Sequence, residues 1–189
     1  KIGVLGAGMM GAGIALVSAQ VGVDVVLIDR DVESATKGKA YSETVLGKQI
    51  TRGSMTQDKA DAILARITPT DDFALLEGCD LIIEAVFEDI DIKAETTRKA
   101  EAIIPATTVY ASNTSTLPIS TLAEASARPD QFIGLHFFSP VDRMGLVEII
   151  KGAKTSPATL AVALDFVAKL RKTPIVVNDS RGFYTSRVF

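Results

Sequence analysis

The sequence predicts a doubly wound α/β fold built on a mostly parallel sheet, and three observations predict it. Short apolar runs alternate with segments of helical periodicity along the 189 residues. A glycine-rich turn, Gly6-Ala7-Gly8-Met9-Met10-Gly11, directly follows the first apolar run. An acidic residue, Asp29, closes the second. At 47% hydrophobic, the chain can bury one sizeable core, so one main domain is expected.

Lys1-Ile2-Gly3-Val4-Leu5 reads as a buried strand, residues 9–21 as the next helix, and Val25-Val26-Leu27-Ile28 as a second buried strand. Gly6, Gly8 and Gly11 leave room for a tight turn, for backbone to approach a pyrophosphate, and for the helix to pack closely on the strand. The phosphates then face free N–H groups at the helix N-terminus. With an acid about 20 residues on, this is the dinucleotide fingerprint of a Rossmann-type fold. Asp29 can accept hydrogen bonds from both adenosine ribose hydroxyls and favours NAD over NADP, whose 2′-phosphate would meet a like charge. Arg30 is a counter-signal, because an arginine there can serve a 2′-phosphate. FAD and S-adenosylmethionine compete for the same kind of turn.

Residues 31–66 are charged, helical and longer than a simple crossover, with a break at Arg52-Gly53-Ser54-Met55. Ala60, Ile63, Leu64 and Ile67 keep helical spacing in the second arm, so a helical hairpin projecting from the sheet is expected. Strands follow near 67–69 and over 80–87, then a helix over 89–104 that ends before Pro105. Further strands are expected at 108–111, 132–136 and 146–150. Ser156-Pro157 is a capped helix start, and Leu160, Ala163, Leu164 and Val167 give that helix its buried stripe. Thr173-Pro174-Ile175-Val176-Val177 reads as the last strand.

The net charge of −3 argues against a nucleic-acid surface. No apolar run reaches the ~18 residues that span a bilayer. Cys79 is the only cysteine, which excludes an internal disulfide and reads as a buried, inert thiol. No metal-ligand spacing is present. Lys1 enters the first strand without a lead-in, and Gly182–Phe189 reads as the opening of a helix of a following domain. The expected organisation is a cofactor-binding domain over 1–180 and the start of a helical C-terminal domain over 181–189.

His136 is the only histidine and sits at the end of a strand, before Phe137-Phe138-Ser139-Pro140. Ligands gather outside the carboxyl ends of strands in open α/β sheets, so the position suits chemistry. Glu148 lies among aliphatics in Leu146-Val147-Glu148-Ile149-Ile150 and is costly to bury without a partner. A His136–Glu148 pair would fix the imidazole tautomer and strengthen it as a base for a hydroxyl proton. The alternative is an exposed edge-strand Glu beside a structural His. Ala111-Ser112-Asn113-Thr114-Ser115-Thr116 clusters short polar side chains after a strand; it is either a turn with a helix cap or a hold on a carboxamide or substrate oxygen. Glu88 and Lys93 follow a strand where a cofactor ribose would pass, or form a solvated helix start.

Five ordered motifs carry a family resemblance. They are Gly6–Ala15, Ile83-Glu84-Ala85-Val86-Phe87-Glu88, Ala111–Ser115, His136–Val141 and Leu146–Ile150. Together they resemble the L-3-hydroxyacyl-CoA dehydrogenases of fatty-acid β-oxidation along essentially the whole chain. Met9-Met10 and the stretch Ser139–Met144 look similar to the multifunctional enzymes that fuse an enoyl-CoA hydratase to this dehydrogenase. The resemblance implies oxidation of (S)-3-hydroxyacyl-CoA to 3-oxoacyl-CoA with NAD. It implies His136 as base, Glu148 as its partner, and Ser115 on nicotinamide and the substrate oxygen. Met10, Asp29, Val86, Glu88, Lys93 and Ser139 would line NAD, with Met9, Arg30, Phe87 and Asn113 beside them. Lys48 and Arg52 of the hairpin would touch CoA, with Lys37 and Lys39 adding basic charge. Ser186 stands where the family usually has a substrate-contacting asparagine, and Ser139 where asparagine is frequent.

The resemblance further implies a homodimer or multienzyme complex formed through a C-terminal domain. The compartment would be cytoplasmic in a bacterium, and mitochondrial or peroxisomal in a eukaryote. One rival is a same-fold dehydrogenase of a non-CoA hydroxy acid or polyol. Another is a non-catalytic NAD-binding module. A short-chain dehydrogenase is excluded, since none of Tyr41, Tyr110 and Tyr184 has lysine four residues later.

Overall fold

The computed structural model describes residues 1–188, save the side chains of Ser186 and Val188. Its strands are β1 (Ile2–Leu5), β2 (Val25–Ile28), β3 (Ile67–Thr70), β4 (Leu81–Glu84), β5 (Val109–Ser112), β6 (Phe132–Phe137), β7 (Leu146–Lys151) and β8 (Thr173–Asn178). They form one eight-stranded sheet in the order β3-β2-β1-β4-β5-β6-β7-β8. Every pairing is parallel except β6 with β7. β1, β2, β4 and β5 are buried along their whole length, which is why they read as unbroken apolar runs rather than as alternation. After edge strand β3 the chain crosses to β4, on the other side of β1. β1 is therefore the switch point of the sheet, where an open α/β fold places its ligand.

One apolar cluster packs α1 (Met9–Gln20), the hairpin and α6 (Pro157–Lys169) on one face of the sheet. Ile14, Leu16, Leu46, Ala60, Ile63 and Val167 belong to it. A second cluster, including Ala100, Tyr110, Ile119 and Phe132, lies on the other face with α4 (Ile90–Glu101) and α5 (Ile119–Leu122). The hairpin is α2 (Val32–Thr51) and α3 (Gln57–Leu64), capped by Asp31 and Thr56. Burial pushes the Cys79 thiol above its usual range, consistent with an inert core cysteine. Among the described residues no helix is long and apolar enough to cross a membrane.

Three elements differ from the sequence reading. β4 ends at Glu84 rather than at residue 87, because the Glu84 carboxylate accepts the Val86 N–H at 2.8 Å and turns the backbone out of the sheet. α4 ends at Glu101, before the expected 104. Short α5 was not expected. The N–H groups of Ile119 and Ser120 are taken by the Asp179 carboxylate at 2.9 and 2.7 Å, a partner that no local pattern reveals.

Candidate active site

The glycine turn shapes the cofactor end of the site. Gly6 has φ of 94°, and a Cβ there would lie 2.5 Å from the Ala85 carbonyl oxygen. A Cβ on Gly11 would lie 1.8 Å from the Gly6 oxygen, so α1 can seat on β1 only with glycine. Gly8 is different: a Cβ there meets nothing within 4 Å. That open space lies before the N-terminus of α1, which has no side-chain cap. Its first-turn N–H groups are left for an anion, and the space suits a pyrophosphate. Asp29, at the end of β2, accepts the Ala7 N–H at 2.7 Å and the Arg30 N–H at 2.8 Å. It therefore braces the glycine turn as well as edging the adjoining recess, a role the sequence did not suggest. That recess, about 500 Å³, is also lined by Gly6, Arg30, Val86 and Phe87 and fits an adenosine half. Arg30 is exposed and pairs with Asp31 at 3.2 Å.

A second recess, about 350 Å³, opens at the carboxyl ends of β4, β5 and β6. Met10, Val86, Glu88, Asn113, Ser115, His136 and Ser139 line it, so the residues expected around a nicotinamide do converge. Asn113 accepts the Phe137 N–H at 2.9 Å, which ties the end of β5 to the end of β6 beside His136. Glu88 accepts from the Thr114 hydroxyl at 2.5 Å and from the Ser115 N–H at 2.9 Å. Burial works to raise the Glu88 pKa, but these bonds and the nearby Lys93 charge outweigh it and hold the carboxyl below its usual range.

Lys93 is buried and is not part of a solvated helix start. Its side chain is 2% exposed, and its ammonium lies 2.8 Å from Glu84 and 3.1 Å from Glu88. It stands behind Glu88 and holds that carboxylate at the edge of the recess. Glu84 also accepts the Ser112 hydroxyl at 2.7 Å. The sequence reading placed Glu84 and Ser112 within motifs without giving them this role. An acid ending an apolar strand, nine residues before a lysine, was the available signal.

The antiparallel register sets His136 directly opposite Glu148. The imidazole Nδ1 donates to Glu148 Oε2 at 2.6 Å. Glu148 is fully buried, not an exposed edge-strand residue. It also accepts the Tyr184 and Thr185 N–H groups at 3.1 and 2.9 Å and the Thr185 hydroxyl at 2.8 Å. Burial works to raise its pKa, yet the bonds from His136 and Thr185 prevail and leave it below the usual carboxylate range. The ring packs on Phe138 and Phe183, with centroids 4.5 and 6.0 Å away. Thr185 escaped the sequence reading, because its partner lies 37 residues earlier.

A third recess, about 540 Å³, runs between α2 and the loop after β6. Lys48 and Arg52, the hairpin residues expected at a CoA moiety, line it together with Arg143. Met9 and Ser139 line it too; Ser139 also belongs to the nicotinamide-side recess and its hydroxyl lies 3.6 Å from the Met9 sulfur. Lys37 pairs with Glu33 on the helix surface at 2.7 Å, so neither it nor Lys39 contributes to this groove. Phe87 is exposed at the adenosine-side recess. The Ser186 side chain lies outside the described residues.

A glycine turn at the switch point, an uncapped helix behind it and an acid on the neighbouring strand define a dinucleotide-binding domain of the dehydrogenase type. Residues 1–180 match the family model described as the NAD-binding domain of 3-hydroxyacyl-CoA dehydrogenase, and the chain belongs to that family. NAD is accordingly its cofactor. The chain is similar to (S)-3-hydroxybutyryl-CoA dehydrogenase PaaH1 from Ralstonia eutropha, at 38% identity and a TM-score of 0.96, covering 99% of this chain and 66% of that one. It is similar to 3-hydroxybutyryl-CoA dehydrogenase from Escherichia coli K12, at 31% identity and 0.93, covering 96% and 39%. The dehydrogenase part of multifunctional enzyme 1 from C. elegans shares 29% identity at 0.84, covering 95% and 41%. The chain thus spans no more than about two thirds of these relatives.

Proposed function

We propose that this chain is the cofactor-binding part of an enzyme that oxidises (S)-3-hydroxyacyl-CoA to 3-oxoacyl-CoA in fatty-acid β-oxidation, with His136 as the base. The observation that carries the reading is the 2.6 Å bond from His136 Nδ1 to buried Glu148, on a histidine that lines the cleft. With Nδ1 donating to Glu148, the lone pair of the neutral ring sits on Nε2. Nε2 then takes the proton of the substrate 3-hydroxyl, and Glu148 stabilises the imidazolium that forms. Ser115, at the edge of the same recess, supplies a hydroxyl to the reacting oxygen and so polarises the carbonyl in the reverse direction. NAD, when bound, supplies the hydride acceptor; Gly6, Gly8, Met10, Asp29, Val86 and Glu88 are the residues placed to hold it. The basic groove of Lys48, Arg52 and Arg143 supports a CoA thioester over an uncharged polyol. Assembly through a further helical domain, as a homodimer or within a multienzyme complex, belongs to the same reading. So does a cytoplasmic site in a bacterium, or a mitochondrial or peroxisomal one in a eukaryote.

The test is NADH oxidation followed at 340 nm in the full natural protein, with acetoacetyl-CoA as substrate. Rapid oxidation that depends on acetoacetyl-CoA is the expected result. NADH binding without turnover would overturn the reading in favour of a non-catalytic module.

A further inference from the structure

One polar bond ties the hairpin to the rest of the site. The Tyr41 hydroxyl donates to Asp142 Oδ1 at 2.8 Å, across 101 residues of sequence. Among the described residues it is the one side-chain hydrogen bond from α2 or α3 to another part of the fold. Both residues line the basic groove, and both are set for a fixed role. Asp142 sits in a loop that is itself clamped. Lys172 Nζ donates to the Val141 and Met144 carbonyl oxygens, at 2.6 Å each. Val141 is seated so closely on α1 that a Cβ at Gly13 would come within 2.8 Å of it. On the hairpin side, α2 passes so near the glycine turn that a Cβ at Gly38 would lie 2.6 Å from the Ala7 oxygen. Tyr41 is one turn further along α2, and Thr44, Lys48 and Arg52 continue on the same face. Burial and then the Asp142 carboxylate push the phenol above its usual range, so it remains a donor at neutral pH. Asp142 is the one acid lining a groove with three cations, and its side chain is only 15% exposed.

We propose that Tyr41 is a positioning residue. Through Asp142 it holds the α2 face that carries Lys48 and Arg52 at the spacing from the 139–143 loop that admits the phosphate-bearing end of a CoA thioester. This rests on the CoA reading above. Tyrosine suits the task because a rigid ring spans the gap and its single hydroxyl fixes direction. Without the hydroxyl, the exposed end of the hairpin face loses its polar tie to the loop and keeps only its apolar packing.

The experiment compares two substrates in the full natural enzyme: acetoacetyl-CoA and acetoacetyl-N-acetylcysteamine, a thioester without the nucleotide. Wild type is expected to show a lower KM for the CoA thioester. Tyr41→Phe is expected to raise that KM roughly tenfold with kcat retained, narrowing the preference between the two. Asp142→Asn, which keeps an oxygen acceptor for the phenol, should narrow it less. A Tyr41→Phe enzyme with the wild-type preference, or with kcat lowered equally on both thioesters, would overturn the positioning role and leave the CoA reading standing. A wild-type enzyme that treats the two thioesters alike would sink the CoA reading itself, and this proposal with it.

Discussion

Glu84 and Glu148 are two glutamates in strands of the same sheet, 1% and 0% exposed. Both satisfy their carboxylates completely, as buried charges must. Glu84 takes Lys93, the Ser112 hydroxyl and the Val86 N–H. Glu148 takes His136, the Thr185 hydroxyl and two backbone N–H groups. The difference is the partner. Lys93 is itself sealed in between two carboxylates, so the Glu84 node holds Glu88 and the strand ends in place. His136 can be neutral or charged, and its residue lines the cleft. A buried acid alone therefore says nothing about chemistry; what its partner presents to the cleft does.

Substitutions at these two nodes should separate along that line. His136→Ala should lower turnover by roughly 10²–10⁴ while NADH affinity, read by fluorescence titration, stays near wild type. Equal loss of both would erase the distinction between the nodes. Lys93→Met leaves Glu84 buried without its cation and should cost about 3–5 kcal/mol in urea unfolding. Adding Glu84→Gln should recover much of it, and a failure to recover would mean that Lys93 acts by another route.

Glu148→Gln keeps the shape and, with its oxygen in the Oε1 position, the bonds from the Tyr184 and Thr185 N–H groups, but its NH2 can no longer accept from His136 Nδ1 or the Thr185 hydroxyl, and the charge that faces the imidazolium is gone. Turnover should drop roughly 100-fold, with a smaller change in stability than at Lys93. The smallest effect concerns pH. Glu148 and Glu88 are both held below their usual range in the folded state. Their contribution is present above the unfolded value of about 4.3 and is lost as pH falls through the lower folded value. Urea midpoints measured from pH 7 down to 3 should therefore fall, and fall less steeply in Glu148→Gln. An identical slope in the variant would remove Glu148 from the acid sensitivity of the fold.

Much of this site was legible because its determinants are local. Gly6, Gly8 and Gly11 all fall within a few residues of β1, and Asp29 directly follows the very next strand. His136 and Glu148 lie on consecutive strands, so an unpaired acid in an apolar run pointed to the histidine beside it. The burial of Lys93 was not legible, for an equally physical reason. A lysine near the start of a polar helix looks solvated until a buried acid on the preceding strand turns it inward.

By itself, then, the sequence determined the α/β class, the glycine turn that shapes the dinucleotide end of the site, the acid beside it and His136 with Glu148 as a candidate pair. These follow from strand and helix periods, from glycine sterics and from the cost of burying an unpaired charge. Tertiary structure alone decided that Arg143 joins Lys48 and Arg52 in the groove, that Lys93 is buried between Glu84 and Glu88, that Thr185 and Asp179 close distant hydrogen bonds, and that Tyr41 reaches Asp142 across 101 residues. Each of those depends on where two remote segments meet. That meeting is fixed by how the whole core packs, and no local pattern encodes it.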